Sequence, residues 1–212
     1  MNQKNGKNSL GLDSCFEDLD NPVELFKKWF SKAGESEIND PNAVAVAIAT
    51  SNEDNQPNVR MVLLKGLSEK GFVFYTNFNS KKGKDLKSNE FASMCFHWKS
   101  LRRQVRIIGV VKKVTNEEAD QYYNSRAYES RISAWASSQS ETMSSRNIFL
   151  KKIDEFKKKY PDEKKVPRPP HWSGWRIHPK EIEFWIDGEY RVHERLNYKN
   201  VEGEWVKEIL YP

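Results

Sequence analysis

The residues best suited to chemistry lie close together near the C-terminus. Asp187-Gly188 stands between two runs of aromatic and β-branched residues and predicts a two-residue hairpin turn, because glycine accepts the positive φ that such a turn needs. Alternation on the returning strand would place Arg191, His193 and Arg195 on one face. Two guanidinium groups beside an imidazole repel one another unless an anion lies among them. The pattern therefore favours an anion site, with a solvated sheet face as the alternative.

A second cationic pair follows the segment F-Y-T-N (74–77). Ser80 is typical of a helix N-cap, which puts Lys81 and Lys82 in the first turn. Cations at this end oppose the helix dipole, so the pair indicates a bound anion, such as a phosphate held by free backbone N–H groups and the ammonium groups together. The alternative is an exposed pair, tolerated at a cost of roughly a few tenths of a kcal/mol.

A third polar set follows the capping box Thr115 to Glu118, which predicts the start of a helix. Tyr122 and Arg126 are four residues apart on that helix, and Ser130 shares their face if the helix continues. These groups suit a second phosphate, because arginine offers a bidentate fork and each hydroxyl donates one hydrogen bond. An ordinary amphipathic helix would look the same.

Weaker signals come from a predicted strand and from three uncharged side chains. Arg60 and Lys65 lie at the ends of R-M-V-L-L-K on opposite faces, so they serve different neighbours or simply reach water. Gln104 and Gln139-Ser140 offer donors and acceptors that could contact the edge of a heteroaromatic ring. Each of these signals is uninformative alone.

Composition limits the class of protein. The 212 residues suffice for one substantial domain. The net charge of +5 allows a nucleic-acid partner without requiring one, and small anionic ligands fit equally well. Cys15 and Cys95 support neither a disulfide framework nor a zinc site, which indicates a reducing compartment. No signal peptide or membrane-spanning run is recognisable, so we expect a cytoplasmic protein.

The elements that position these groups predict a mainly β fold with flanking helices, an antiparallel sheet curling towards a barrel. Residues 1–20 are expected to be flexible or to fold over another part, with a single domain over 21–212. No G-x-G-x-x-G loop occurs, which disfavours a Rossmann site. Strands are predicted over Ala43–Thr50, Asn58–Lys65, Phe72–Thr76, Phe91–Trp98, Gln104–Val114, from Trp175, and over Glu204–Leu210; helices over Asn21–Gly34, from Thr115, and over Ser144–Tyr160.

Taken in order, these segments resemble the pyridoxamine 5′-phosphate oxidase family of flavin enzymes over about residues 21–212. The most specific motifs are R-M-V-L-L-K (60–65), F-Y-T-N (74–77), R-Q-V (103–105), the spaced Tyr122, Arg126 and Ser130, and E-F-W followed by R-V-H-E-R (183–195). The resemblance implies an FMN-binding split β-barrel and a homodimer with FMN at the subunit interface.

The resemblance also implies the roles of particular residues. FMN would contact Arg60, Met61, Val62, Leu63, Leu64, Lys65, Tyr75, Thr76, Lys81, Lys82 and Gln104, with Gln139, Ser140, Trp185 and Arg195 expected from the other subunit. The substrate phosphate would bind Lys65, Tyr122, Arg126 and Ser130. Arg191 would orient the substrate's pyridine ring, and His193 would act there as a polar contact or a proton relay.

The implied activity is oxidation of pyridoxamine or pyridoxine 5′-phosphate by O₂ to pyridoxal 5′-phosphate, with hydrogen peroxide released and ammonia formed from the amine. One alternative is a split-barrel flavin- or haem-binding protein with another substrate, which would not need Tyr122, Arg126, Ser130, Arg191 and His193. Another is a basic nucleic-acid-binding module that uses exposed aromatic residues and the lysines of 151–165. Those lysines otherwise form a solvated helix face, and we expect neither a nucleic-acid nor a membrane partner.

The sequence departs from the family pattern in three places. Residues 1–20 contain neither Arg nor Tyr, whereas the family commonly has an Arg-rich, Tyr-containing segment that closes over the substrate. Ile186-Asp187 replaces the usual Gln-Gly after the tryptophan. Lys81 stands where arginine is common, which keeps the charge but loses the bidentate fork.

Overall fold

The computed structural model describes residues 6–39 and 42–212, which form one antiparallel sheet flanked by helices. Within these residues the strands are β1 Ala45–Ser51, β2 Pro57–Leu63, β3 Gly66–Ser68, β4 Gly71–Asn77, β5 Phe91–Trp98, β6 Arg103–Lys113, β7 Trp172–Ile186, β8 Glu194–Val201 and β9 Glu204–Leu210. The helices are α1 Pro22–Ser36, α2 Lys81–Ser88, α3 Asn116–Asn124, α4 Tyr128–Ala136 and α5 Arg146–Lys159. The predicted mainly β fold with flanking helices is confirmed.

Strand β7 organises the sheet. The strand order is β2-β1-β5-β6-β7-β4-β3, with β8 paired to β7 and β9 to β8. One edge of the 15-residue β7 pairs with β6, where a bulge between Ile108 and Gly109 bends the pair. The other edge pairs first with β4 and then with β8. Because this edge has two successive partners, the sheet splits along β7 and stays open.

Helix α1 covers the apolar face of the sheet. It begins at a proline after Asn21, whose side chain accepts a hydrogen bond from the backbone N–H of Val23. The Phe26 ring packs edge to face on Phe72 at a centroid distance of 4.9 Å. The buried Trp29 ring packs in the same way on Phe184 of β7. Burying a side chain of this size contributes about 1.5–3 kcal/mol, so these contacts anchor the helix.

The predicted end of α1 at Gly34 is wrong. The helix continues to Ser36, and Gly34 is absent from the residues with positive φ that would mark a left-handed cap. Its α-carbon faces open space, so glycine there is a helix-interior residue on the solvent side. Across the described ranges, no helix is both long and apolar enough to cross a bilayer. The predicted cytoplasmic location stays a prediction.

The described part of the N-terminal segment, residues 6–20, packs against the sheet and α1. Phe16 is fully buried, and the indole N–H of Trp29 donates to the carbonyl of Cys15 at 2.7 Å. Glu194, at the start of β8, accepts hydrogen bonds from the Lys7 ammonium and from the backbone N–H of Asp13. Residues 1–5 lie outside the described residues, and the flexibility predicted for 1–20 stays a prediction.

The predicted two-residue hairpin at Asp187-Gly188 is wrong. Strand β7 ends at residue 186 and β8 begins at residue 194, so a loop spans 187–193. The Asp187 side chain is held by Arg102 at 2.9 Å and lies 3.2 Å from the His193 ring, which pulls it away from a tight turn. Arg191 and His193 therefore lie in the loop rather than on a returning strand, and Arg191 has a positive φ of 66°.

The helix predicted from Thr115 through Arg126 ends earlier, and it does not continue to Ser130. Helix α3 ends before Ser125, whose hydroxyl donates to the carbonyl of Tyr122 at 2.8 Å, and α4 starts at residue 128. A serine that hydrogen-bonds to the preceding turn competes with the helical backbone bonds. Lys65 likewise lies outside the strand predicted for it, because β2 ends at Leu63.

We predict that Gly34→Ala raises the free energy of unfolding by about 0.5–1 kcal/mol, because alanine loses less backbone entropy inside a helix. Urea denaturation measures the change. Gly71→Ala is the control: Gly71 has a φ of +126°, and an added Cβ would lie 1.9 Å from the carbonyl oxygen of Ile177. That variant should be less stable than the wild type. Destabilisation by Gly34→Ala would contradict the placement of Gly34 within α1.

Candidate functional site

A cavity of about 570 Å³ opens between strands β2 and β4 and the helices α2, α3 and α4. A volume of roughly 300–1,000 Å³ is usual for cofactor and small-molecule sites. The predicted residues that line it are Arg60, Met61, Val62, Leu63, Lys65, Tyr75, Thr76, Lys82, Tyr122, Arg126, Ser130 and Gln139. Leu64, predicted with them, is instead buried in the core at 4% exposure, just past the end of β2.

One end of the cavity contains a buried lysine that pairs with no carboxylate among the described residues. The Lys82 ammonium donates to Thr76 Oγ1 at 3.0 Å, to Gln139 Oε1 at 2.9 Å and to Ser80 Oγ at 3.3 Å. Burial, and then the charge of Arg60, lower the pKa of Lys82 to about 8. The bond to Gln139 corrects the expectation that Gln139 comes from the other subunit, because it lies beside Lys82 of its own chain.

Arg60 places a second cation at this end. Its Nη1 donates to Thr50 Oγ1 at 2.7 Å, and the Thr50 hydroxyl in turn donates to Asp85 at 2.6 Å. The Arg60 Nη2 atom is 3.7 Å from Asp85, too far for a hydrogen bond, and it is buried without a hydrogen-bond partner among the described residues. Burial lowers the pKa of Arg60, only partly offset by Asp85. The end of the cavity is therefore positive and has unused donors.

Helix α2 points its N-terminus at the same place. Ser80 is the predicted N-cap, and its side chain accepts from the backbone N–H of Gly83 at 3.3 Å. The first turn carries no acidic residue, which leaves the helix dipole uncompensated there. Lys82 turns inward to the cavity, whereas Lys81 is exposed and does not line it.

The other end of the cavity is an aromatic wall with an arginine on it. The Tyr75 and Tyr122 rings stack at 4.0 Å, and Trp172 lies parallel to Tyr75 at 5.4 Å. The Arg126 guanidinium carbon is 4.8 Å from the centroid of Trp172, and Arg126 Nη1 is buried without a hydrogen-bond partner among the described residues. Burial raises the pKa of both tyrosines, so their hydroxyls stay protonated and able to donate. Ser130, from α4, completes this end.

Three further predicted residues lie side by side on the sheet, away from this cavity. Gln104 on β6 is directly opposite Trp185 on β7, which is directly opposite Arg195 on β8. Opposed residues of neighbouring strands share a face, so the three form one row, on the face opposite the core. The buried Glu183 holds Arg195 at 2.9 Å and also Arg106 at 3.2 Å. The longer loop thus pairs Trp185 with Arg195, whereas a two-residue turn at 187–188 would have paired Trp185 with Tyr190.

The loop 187–193 adds its residues beside the row. The His193 ring lies 4.7 Å from the Trp185 ring, and its Nδ1 accepts from the backbone N–H of Gly188 at 3.2 Å. Arg191 is exposed. Ser140, exposed and with a positive φ of 74°, borders a neighbouring depression and does not line the main cavity.

The predicted site residues therefore fall into two groups on one chain. The cavity group offers buried cations at both ends and stacked rings between them. The row group offers Trp185, Arg195, Gln104 and the loop residues Arg191 and His193 on another surface. Trp172, which sequence reasoning missed, belongs to the cavity group. Its only sequence signal is an aromatic side chain three positions before the strand predicted from Trp175. Phosphates and a planar ring are the ligands that the cavity group suits.

Comparison with protein families gives two matches that together span most of the chain. The model described as pyridoxamine 5′-phosphate oxidase matches residues 31–160. The model described as the pyridoxine 5′-phosphate oxidase C-terminal dimerisation region matches residues 172–212. The first covers the cavity group apart from Trp172, and the second covers Trp172 and most of the row group.

Individual proteins agree with these matches. The chain is 59% identical to the pyridoxine/pyridoxamine 5′-phosphate oxidase of Pelagibacter ubique over 98% of this chain and 100% of the relative. It is 54% identical to the protein of the same name from Brucella canis, over 90% and 94%. A crystal structure of PhzG from Burkholderia lata 383, in complex with tetrahydrophenazine-1-carboxylic acid, superimposes with a TM-score of 0.87 at 26% identity, covering 98% of this chain and 100% of PhzG. The chain belongs to the pyridoxamine 5′-phosphate oxidase family.

Proposed function

We propose that this chain is an FMN-dependent oxidase that converts pyridoxamine or pyridoxine 5′-phosphate to pyridoxal 5′-phosphate. O₂ is reduced to hydrogen peroxide, and the amine substrate takes up water and releases ammonia. The observation that carries the proposal is the cavity with a cation at each end that still has an unused donor. Arg60, whose Nη2 has no hydrogen-bond partner among the described residues, lies with Lys82 at one end, and Arg126, whose Nη1 has none, lies at the other. Such an arrangement fits two phosphate groups with ring systems between them.

The residues present fit FMN at the α2 end of the cavity. The unpartnered Nη2 of Arg60 and the Lys82 ammonium, in the first turn of α2, are donors suited to a phosphate. Bound FMN would supply the acceptor for the hydride equivalent that leaves the 4′ carbon of the substrate. The residues proposed to hold it from this side all line the cavity: Arg60, Met61, Val62, Leu63, Lys65, Tyr75, Thr76, Lys82 and Gln139.

The opposite end of the cavity fits the substrate phosphate. Arg126 has a buried donor free, Tyr122 and Ser130 add hydroxyls, and Lys65 reaches the same cavity. The positive charge of the two basic residues selects phosphorylated substrates, while the hydroxyls orient the phosphate. Clamping the phosphate would fix the position of the reacting carbon within the site, which reduces the entropy that the substrate must lose on the way to the transition state.

We propose a homodimer in which the row group completes the cavity of the partner subunit. The matched C-terminal region, 172–212, is the one described as a dimerisation region in this family. Strand β2 supports an apolar contact near the cavity, because Val59 and Met61 are 67% and 63% exposed on its outer face. Gln104, Ser140, Trp185 and Arg195 would then reach FMN from the partner subunit.

Arg191 and His193 would approach the substrate ring with the row group. Arg191 is exposed and has no ion pair among the described residues, so its guanidinium is available to orient the substrate. His193 Nδ1 lies 3.2 Å from both the backbone nitrogen of Gly188 and the Asp187 carboxylate, so Nε2 is the ring nitrogen left to contact the substrate. From there it would act as a polar contact or a proton relay. The alternative function, a split-barrel protein with another substrate, is not favoured, because it would not need the Tyr122, Arg126 and Ser130 set.

A direct test is reconstitution of the purified protein with FMN and assay of peroxide release from pyridoxamine 5′-phosphate. We expect FMN to bind with a flavin absorbance band and peroxide to form. In the same assay, Arg191→Ala should lower kcat/KM at least about tenfold with FMN still bound, because a substrate-orienting charge is lost. Arg146→Ala, an exposed arginine outside both groups, is the matched control and should match the wild type. A protein that binds no FMN would contradict the proposal.

The lowered pKa of Lys82 predicts how FMN affinity depends on pH. Below its pKa of about 8 the lysine is already charged, and binding of the phosphate dianion needs no proton. Above that pH, binding must restore a proton to Lys82, so the dissociation constant should rise by up to about tenfold per pH unit. Fluorescence titration between pH 7 and 9.5 measures this.

Lys82→Arg is the matched variant, because arginine remains charged over the whole range. Its dissociation constant for FMN should change less than that of the wild type between pH 8 and 9.5. Equal slopes for the two proteins would show that another group controls the pH dependence.

A further inference from the structure

Trp172 occupies a central position in the wall of the cavity. It is the first residue of β7, and its side chain is 6% exposed. Its indole lies parallel to the Tyr75 ring at 5.4 Å and at 65° to the Tyr123 ring at 5.2 Å. The Arg126 guanidinium carbon is 4.8 Å from its centroid. Trp172 therefore contacts both the arginine and the tyrosine stack at the end of the cavity proposed for the substrate phosphate.

Arg126 is held at this end by aromatic faces. Within the described residues it forms no ion pair, and its Nη1 is buried without a hydrogen-bond partner. Trp172 is nearer to it than Tyr123, whose ring centroid is 6.0 Å from the guanidinium carbon. A carboxylate partner would neutralise the charge that a phosphate needs. A tryptophan face orients the guanidinium and leaves its charge and its donors free.

Trp172 is itself fixed to the helix that carries Tyr122. Arg168 Nη1 donates to the carbonyl of Trp172 at 2.8 Å, and the same guanidinium contacts Asp120 at 2.5 Å and Asn116 at 3.1 Å, both on α3. The Arg168 side chain is only 13% exposed, which strengthens the pair with Asp120. The start of β7 and α3 are thereby joined, so the indole keeps a constant position relative to Tyr122.

We infer that Trp172 is a positioning residue for the substrate phosphate: its indole holds Arg126 and, through Tyr75, keeps Tyr122 in the phosphate-binding arrangement. The inference rests on the proposed function. The proposed role of Trp172 differs from a general packing role in one measurable respect. Loss of the indole should act through Arg126, and it should therefore raise KM for the phosphorylated substrate. Turnover of the bound substrate should change little, since Trp172 contacts neither of the loop residues proposed to lie over the substrate ring.

The test measures peroxide release from pyridoxamine 5′-phosphate by FMN-saturated Trp172→Leu, Arg126→Met and the double variant. We expect Trp172→Leu to raise KM about tenfold, the effect of losing one desolvated cation–π contact, with kcat changed less than about twofold. In the Arg126→Met background the same substitution should raise KM by less than about twofold. Trp172→Phe, which keeps an aromatic face, should restore most of the affinity.

Trp135→Leu is the matched control, because it removes an indole that faces the Lys159 ammonium at 5.8 Å outside the cavity, and it should leave KM unchanged. Equal rises of KM with and without Arg126, or a loss of kcat alone, would overturn the inference while leaving the proposed function intact. Thermal unfolding shows whether Trp172→Leu is folded, and if it is not, Trp172→Phe replaces it in the test. Because phenylalanine keeps a weaker cation–π contact, KM should then rise roughly two- to threefold, and only when Arg126 is present. A wild type that releases no peroxide would overturn both proposals.

Discussion

Positive charge buried without matching carboxylates is the constraint on which the rest of the site depends. Lys82 is surrounded by hydroxyl and amide groups, and Arg126 lies on an aromatic face. Burying a cation in this way costs free energy, and the lowered pKa of Lys82, about 8, expresses that cost. A bound anion offsets this unfavourable free energy, so the folded chain is preorganised for phosphate before any ligand binds. A fully paired site would be more stable and would bind phosphate less tightly.

The arrangement of the sheet explains how a small chain supplies so many ligand-binding groups. Strand β7 begins in the cavity wall at Trp172 and carries Trp185 of the row group next to its last residue, and it pairs with β4 near one group and with β8 near the other. The two groups are therefore rigidly connected but do not share a surface. In the homodimer proposed above, twofold symmetry brings the cavity group of one subunit to the row group of the other, and two equivalent sites form.

Sequence reasoning predicted the local features well and the non-local ones poorly. The N-cap at Ser80 and strand β5 depend on neighbouring residues, and the structure has both where they were predicted. The Asp187-Gly188 turn failed because Arg102 holds the aspartate from another part of the chain, and Gln139 was misassigned because its partner is 57 residues away. Trp172 gave no signal that pointed to a site, since a buried tryptophan usually belongs to a core, and its role depends on which cation lies over its ring.

The central claim is that each site combines the cavity group of one subunit with the row group of the other, and mixed dimers test it most directly. Arg126→Ala damages the cavity group and Arg191→Ala damages the row group, so each parent homodimer should be nearly inactive. A purified heterodimer of the two variants has one site with both defects and one with neither, and it should recover about half of the wild-type turnover. A heterodimer no more active than its parents would show that a single chain builds the whole site.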